Sequence, residues 1–204
     1  MSEPHWRAVT VLGLGQTLAW ASSYYLPAML ATSMARDLGV SVSTVFAAFS
    51  AALVVAAVVG PSAGRAIDAW GGRPVLMATN GVFALGLAGL ALARGPVVLF
   101  AAWALLGAAM GAGLYEGAFA ALVRLYGSGS RGAITGVTLF GGFASTVGWP
   151  LSSWLEAQIG WRDACLVWAA LHVVVGLPLN AALPKAPAPA AEPAPAPVAA
   201  PPAS

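Results

Sequence analysis

The sequence predicts an all-α integral membrane protein that folds as a six-helix bundle. Only 8% of the 204 residues are charged and the mean hydropathy is +0.82, whereas soluble domains carry about 25% charged residues. A spanning helix needs about 20 mostly apolar residues, and a charge at the bilayer centre costs about 2.5–3.5 kcal/mol. Six stretches of at least this length lack Lys, Arg, Asp and Glu: 8–35, 40–64, 74–93, 95–115, 132–155 and 164–184.

Local signals place the ends of the six helices. The predicted helices cover about residues 8–31, 44–66, 74–94, 97–122, 133–155 and 164–183. Arg36 and Asp37 are expected to mark the first loop, and Ser41 or Ser43 to cap the second helix. Pro74 suits the first turn of the third helix, where its missing N–H costs nothing. Pro27 is expected near the outer end of the first helix.

The two ends of the chain differ from the transmembrane domain of residues 8–183. Residues 1–7 are expected to be a cytoplasmic N-terminus. Residues 184–204 are almost entirely proline and alanine, which cannot form a core, so a disordered or polyproline-like tail is expected. With both termini cytoplasmic, six basic residues lie inside and three outside, and the positive-inside rule favours this orientation. We therefore expect a multi-pass protein of a bacterial-type inner membrane.

The composition argues against several other classes of function. A formal net charge of +2 is too small to indicate a nucleic-acid partner. The single cysteine, Cys165, excludes a cysteine-based metal cluster, and the two histidines cannot form a three-ligand metal site alone. No phosphate-binding loop and no nucleophile–base pair can be identified. We expect no enzyme activity, no catalytic residue, no metal and no cofactor.

The most specific motif lies between the second and third helices, in the loop sequence Gly-Arg-Ala-Ile-Asp-Ala-Trp-Gly-Gly-Arg. Its defining positions are Gly64, Asp68, Gly71 and Arg73. This loop resembles the signature of the major facilitator superfamily, Gly-x-x-x-Asp-x-x-Gly-x-[Arg/Lys], and follows the second helix as it does in that family. Gly64 is expected to allow close helix packing, and Gly71 is expected to adopt a turn with positive φ. Asp68 is expected to accept hydrogen bonds from amides at a helix N-terminus, and Arg73 is expected to anchor the loop at the cytoplasmic surface.

The later helices carry a second resemblance to the same family. Pro150 stands in a Gly-Trp-Pro sequence and is expected to kink the fifth helix, because it removes a backbone hydrogen bond. Gly160-Trp161-Arg162 then precedes the sixth helix, as in the family. In the fourth helix, Gly107 and Gly111 form a smooth face for close helix contact. Trp103 stands where many family members carry a coupling arginine.

Polar residues inside the predicted helices are candidates for a solute or proton path. Gln16, Trp20, Ser23 and Tyr24 share one face of the first helix. Glu116 is the one acidic residue within a predicted span, where a carboxylate is expensive and usually functional. The resemblance implies that helices one and four line a central cavity, so both sets are expected to face it. Interhelical hydrogen bonding alone would also explain them. Asn80 and His172 are expected to be structural hydrogen bonders.

The resemblance covers only the first six of the family's twelve helices. It therefore implies transport of a small solute by alternating access, as a half-size or truncated transporter that needs a second six-helix half or a second copy of itself. The alternative is a non-transporting membrane subunit that only binds a partner. The expected partners of the chain are therefore the lipid bilayer, a small-molecule solute and a second six-helix half or a second copy of the chain.

Overall fold

A computed structural model describes residues 5–185, and these residues are helical, with no strand among them. The α-helices are α1 (Trp6–Ser22), α2 (Leu26–Leu38), α3 (Val42–Trp70), α4 (Gly72–Ala91), α5 (Pro96–Gly113), α6 (Tyr115–Tyr126), α7 (Arg131–Gly142), α8 (Ala144–Leu171) and α9 (Leu177–Ala181). A 3₁₀ turn of residues 127–130 precedes α7, and a π-helical turn of residues 172–176 precedes α9. The predicted all-α fold is confirmed. The expected disordered tail lies outside the described residues from position 186 onward.

Chain reversals divide these helices into six rods. The first rod comprises α1 and α2, the second α3, the third α4, and the fourth α5 with α6. The fifth comprises α7 and α8 up to Gly160, where φ is +80° and the direction changes, and the sixth contains the remainder. Three helical stretches of the described chain are long and apolar enough to cross a membrane: Val42–Trp70, Gly72–Ala91 and the broken run Pro96–Ala181. The first rod lacks such a stretch because it is split into helices of 17 and 13 residues.

The first loop is shorter than the sequence predicts. Arg36 and Asp37 lie in the last turn of α2 and not in a loop. The helix continues past them because Asp37 is held by the sixth rod: its carboxylate accepts hydrogen bonds from Trp161 Nε1 and Arg162 Nε at 3.2 and 3.0 Å. Gly39 then ends α2 with φ +66°. Ser41 caps α3 as predicted, its Oγ accepting from the Thr44 amide at 3.1 Å.

One close contact between rods joins α3 to α5. Gly107 and Gly111 of α5 lie directly on Ala52 and Ala56 of α3, so that small residues four apart face each other from both helices. A Cβ at position 107 would lie 2.8 Å from the Ala52 Cα, and one at 111 would lie 2.9 Å from the Ala56 Cα. The predicted packing role of the two glycines is confirmed. We call this contact the glycine–alanine seam.

Three rods meet at a buried polar network. The His172 ring approaches Ser22 Oγ through Nε2 at 2.7 Å and Asn80 Oδ1 through Nδ1 at 2.8 Å. Asn80 Nδ2 donates in turn to the Leu76 carbonyl at 2.8 Å. The ring also stacks on Phe83, with centroids 4.6 Å apart. Asn80 and His172 are therefore structural hydrogen bonders as predicted, and they bond to each other.

Candidate functional site

The first rod breaks where its polar residues are densest. Ser22 and Ser23 both direct their hydroxyls back to the Ala19 carbonyl, at 3.3 and 2.6 Å, which competes with the backbone ladder. Two residues into α2, Pro27 has no N–H to continue that ladder. The chain therefore leaves helical geometry at Ser23 (φ −124°, ψ −75°) and resumes at Leu26. The break places Tyr24 and Tyr25 between two short helices.

The fourth rod breaks at Leu114, which has extended geometry with ψ −155°. The Gly113 carbonyl loses its helical partner there and instead accepts a hydrogen bond from Gln16 Nε2 at 2.7 Å. Gln16 is buried, and its Oε1 accepts from Trp20 Nε1 at 3.2 Å. Gly117 is required at the start of α6 because a Cβ there would meet the Ala112 carbonyl carbon at 2.9 Å. Gln16 thus ties the first rod to the broken part of the fourth.

A cleft of about 570 Å³ opens beside the two breaks. We call it the central cleft. Trp20 and Tyr24 line it from the first rod, and Leu114 and Glu116 line it from the fourth. The third contributing element is α3, which carries Pro61 inside the helix and against the cleft. Because Pro61 cannot donate to the carbonyl four residues earlier, all three rods lose regular backbone hydrogen bonds next to this cleft.

Aromatic rings cover the side of the cleft formed by the first rod. The Trp20 ring lies 5.1 Å from Tyr24 and 4.8 Å from Tyr115, centroid to centroid. Tyr25 continues the cluster toward Trp149 of α8, with centroids 6.1 Å apart. Aromatic side chains bury large areas with few rotatable bonds. Trp20 and Tyr24 therefore give the cleft a stiff wall that is mostly apolar, and Tyr25, Tyr115 and Trp149 extend the aromatic cluster beyond the cleft lining.

Glu116 is the charged residue that the described chain presents to the cleft. It is exposed and occupies the first turn of α6, where the helix dipole favours a carboxylate. Glu116 forms no ion pair with Arg124 or Arg131. Among residues 5–185, the ion pair is the one between Arg162 and Asp37, at 2.8 Å. The Glu116 carboxylate is therefore available to a solute or to water in the cleft.

The structure brings together part of the predicted path. Trp20, Tyr24 and Glu116 line the central cleft, and Gln16 lies behind Trp20. Ser23 does not reach the cleft, because it is buried and bonded to its own helix. Pro150, where a kink is expected, lies inside α8. The helical geometry of the fifth rod is instead interrupted at Phe143, between α7 and α8.

The loop motif has some of the geometry that the sequence indicates. Gly71 adopts φ +88° between α3 and α4. The prediction that Asp68 bonds to helix amides is wrong: α4 is capped by Gly71 without a side-chain bond, and Asp68 instead offers its backbone carbonyl to the Arg124 guanidinium. The expected close packing at Gly64 is also wrong, because a Cβ there would meet no atom within 4 Å in the described chain.

Trp103 has a structural place in the fourth rod. It is fully buried, with its ring edge-on to Phe49 at 5.3 Å, and its Nε1 has no hydrogen-bond partner among residues 5–185. At the position where many members of the resembled family carry an arginine, this chain therefore has an apolar ring that packs against α3.

Sequence reasoning missed the two helix breaks and the residues they recruit. Tyr25, Tyr115 and Trp149 belong to the aromatic cluster that includes Trp20 and Tyr24, yet the sequence does not single them out. The signals were present in the chain as the Ser-Ser-Tyr-Tyr run before Pro27 and the glycine-rich run before Leu114. Such runs interrupt helices, and interrupted helices in membranes mark cavities.

Six helical rods, three of which line a cleft with interrupted helices and a carboxylate at its wall, are typical of a multi-pass membrane transporter. The family model described as Major Facilitator Superfamily matches residues 12–203. The chain belongs to the Major Facilitator Superfamily, whose members move small solutes across membranes, which also fits the expectation that it is not an enzyme.

One curated relative matches a large part of the chain. It is the "Uncharacterized 38 kDa protein in 23S RNA operon" of Thermoproteus tenax, which is 34% identical over 154 residues. The match covers 74% of this chain and 40% of the relative. The chain therefore spans less than half the length of this relative.

Proposed function

We propose that the chain forms one six-helix half of a small-solute transporter and that the central cleft is its half of the solute path. The observation that carries this proposal is the coincidence of three backbone irregularities at one cleft: the breaks at Ser23 and Leu114 and the proline at 61. Unpaired backbone groups are tolerated at membrane depth only where protein or a water-filled cavity satisfies them. Their convergence beside Glu116 supports a hydrated path for a solute.

The cleft needs an opposite wall before it can enclose a solute. Its lining comes from the first, second and fourth rods, and it is open on the remaining side. We propose that a second six-helix bundle closes it, either a second copy of this chain or a separately encoded half. Rocking of the two bundles would then expose the cleft alternately to the two sides of the membrane. The competing function is a subunit that binds a partner and transports nothing.

Thiol accessibility at two neighbouring positions tests alternating access. Ala57 is exposed and lines the cleft, whereas Val58 is 72% exposed and does not line it. Native Cys165 is fully buried and provides a silent background. In oriented vesicles, a membrane-impermeant methanethiosulfonate reagent should modify Ala57→Cys from either side and leave Val58→Cys, which faces hydrocarbon, unmodified. Modification of Ala57→Cys from one side only would favour the non-transporting subunit.

Membrane orientation and partner follow from the same proposal. We propose a bacterial-type inner membrane with both termini cytoplasmic, because the rod ends near Trp70 and Arg131 carry more basic residues than the opposite ends. A green fluorescent protein fused after the last residue should fluoresce, and alkaline phosphatase fused there should be inactive. Co-purification of two differently tagged copies would support the self-dimer, and its absence would favour a separate second half.

A further inference from the structure

We infer that a second, smaller cleft binds the phosphate headgroup of an anionic bilayer lipid. This cleft has a volume of about 350 Å³ and lies where α3 turns into α4, against the residues that follow α9. Its lining residues are Trp70, Gly71, Arg73, Pro74, Met77 and Lys185. We call it the basic cleft. It is separate from the central cleft and shares no lining residue with it.

Two cations face this cleft without a partner among the residues that the structure describes. Arg73 is half-buried and Lys185 is exposed, and neither forms an ion pair or hydrogen bond with any residue between positions 5 and 185. Two like charges around one depression repel each other, so an anion between them relieves that repulsion. The cleft also opens at the N-terminal end of α4, whose dipole adds to the positive potential.

The rest of the lining selects an amphipathic anion over a small one. The Trp70 side chain is 74% exposed at the end of α3, the position at which tryptophan anchors proteins to the headgroup level. Met77 lies one turn deeper along α4 and is apolar and flexible. A lipid can place its phosphate between Arg73 and Lys185 while its glycerol and acyl chains contact Trp70 and Met77. A free phosphate ion would leave these apolar contacts unused.

The charge distribution of the described chain favours the same ligand. Six cations lie at the rod ends on the same side as the basic cleft, with Asp68 as the acidic residue among them. These cations are Arg7, Arg65, Arg73, Arg124, Arg131 and Lys185. At the opposite rod ends, three cations are balanced by three carboxylates, and the pair Arg162–Asp37 is already formed. Attraction of anionic lipid is therefore expected on one face of the membrane only.

Native mass spectrometry of the full chain, freed of co-purified lipid in detergent, tests this inference. Phosphatidylglycerol and phosphatidylcholine are titrated separately, and inorganic phosphate is added as a competitor. The chain should bind phosphatidylglycerol more tightly than phosphatidylcholine. Lys185→Gln and Arg73→Gln should each weaken phosphatidylglycerol binding about fivefold, because each removes one of the two cations that line the basic cleft.

Arg65→Gln is the matched control. Arg65 is exposed on α3 at the same membrane face, but it bonds to Ser62 Oγ and lies outside the basic cleft. Its replacement should change phosphatidylglycerol binding by less than about twofold. Lys185 follows α9 and its side chain is exposed, so Lys185→Gln should not disturb folding. This variant therefore tests the lipid site even if Arg73→Gln folds poorly.

Three results would overturn the inference. Equal binding of the two lipids would remove the role of charge. An equal loss in Arg65→Gln and Lys185→Gln would assign the binding to the general surface potential. Displacement of phosphatidylglycerol by millimolar inorganic phosphate would make the cleft a site for a free anion and not for a lipid.

Discussion

The glycine–alanine seam allows the sharpest test of the packing described above. Replacing Gly107 by alanine would put a methyl group 2.8 Å from the Ala52 Cα and closer still to the Ala52 carbonyl oxygen. Carbon atoms in contact prefer about 3.5–4.0 Å, so α3 and α5 must separate by about 1 Å. Overpacking of this kind costs about 1–3 kcal/mol.

Gly81→Ala is the matched control for this change. Gly81 lies in the interior of α4, and a Cβ there would meet nothing within 4 Å in the described chain. Both substitutions gain the same helix propensity, so the difference between them reports the helix contact alone. We expect Gly107→Ala to be less stable than Gly81→Ala by about 2 kcal/mol, or about 4–8 °C in Tm for a chain of this size.

Cys165 supplies the assay. Its thiol is fully buried and should react with a fluorogenic maleimide only when the fold opens. Heating the detergent-solubilised variants with the maleimide gives the midpoint of unfolding for each. Equal midpoints for Gly107→Ala and Gly81→Ala would show that the two helices are not in close contact and would refute the seam.

Three further changes test other parts of the fold. Trp103→Arg introduces the residue type that many family members carry, but it buries an unpaired guanidinium. We expect it to lower the stability of the fold by about 3 kcal/mol or more, seen as a loss of monodisperse protein in size-exclusion chromatography. Recovery equal to that of the unmodified protein would contradict this expectation. His172→Phe keeps the ring contact with Phe83 but breaks both hydrogen bonds, and should cost about 1–3 kcal/mol by thermal circular dichroism; an unchanged midpoint would remove the network's role. Asp37→Asn should cost about 0.5–1 kcal/mol at low salt and less at high salt, because Asp37 and Arg162 are partly exposed; Asp163→Asn, whose carboxylate has no partner within residues 5–185, should match the unmodified protein.

The helical rods could be predicted from the sequence because hydrocarbon imposes a simple rule. A charge-free stretch of about 20 residues is needed for each span, and the chain avoids charge over six such stretches. Gly107 and Gly111 could be assigned to packing for a similarly local reason, since residues four apart share a helix face.

The helix breaks could not be predicted because their cause is tertiary. The Gly113 carbonyl is satisfied by Gln16, 97 residues away in the chain, and no local pattern records that pairing. The extension of α2 through Asp37 depends in the same way on Trp161 and Arg162. Glu116 could be singled out by its charge, and Trp20 and Tyr24 by their shared helix face, but the places of Tyr25, Tyr115 and Trp149 could not.

The glycine–alanine seam has a consequence for how the bundle can move. The seam brings α3 and α5 to backbone distance at Gly107 and Gly111, one helical turn apart, so we expect these two helices to move together on their side of the central cleft. The helices on the other side of the cleft are interrupted. An irregular segment around Tyr24 separates α1 from α2, and the break at Leu114 separates α5 from α6. We therefore expect a change in the width of the cleft to occur at these two breaks, and the hydrogen bond from Gln16 to the Gly113 carbonyl links α1 to the second of them.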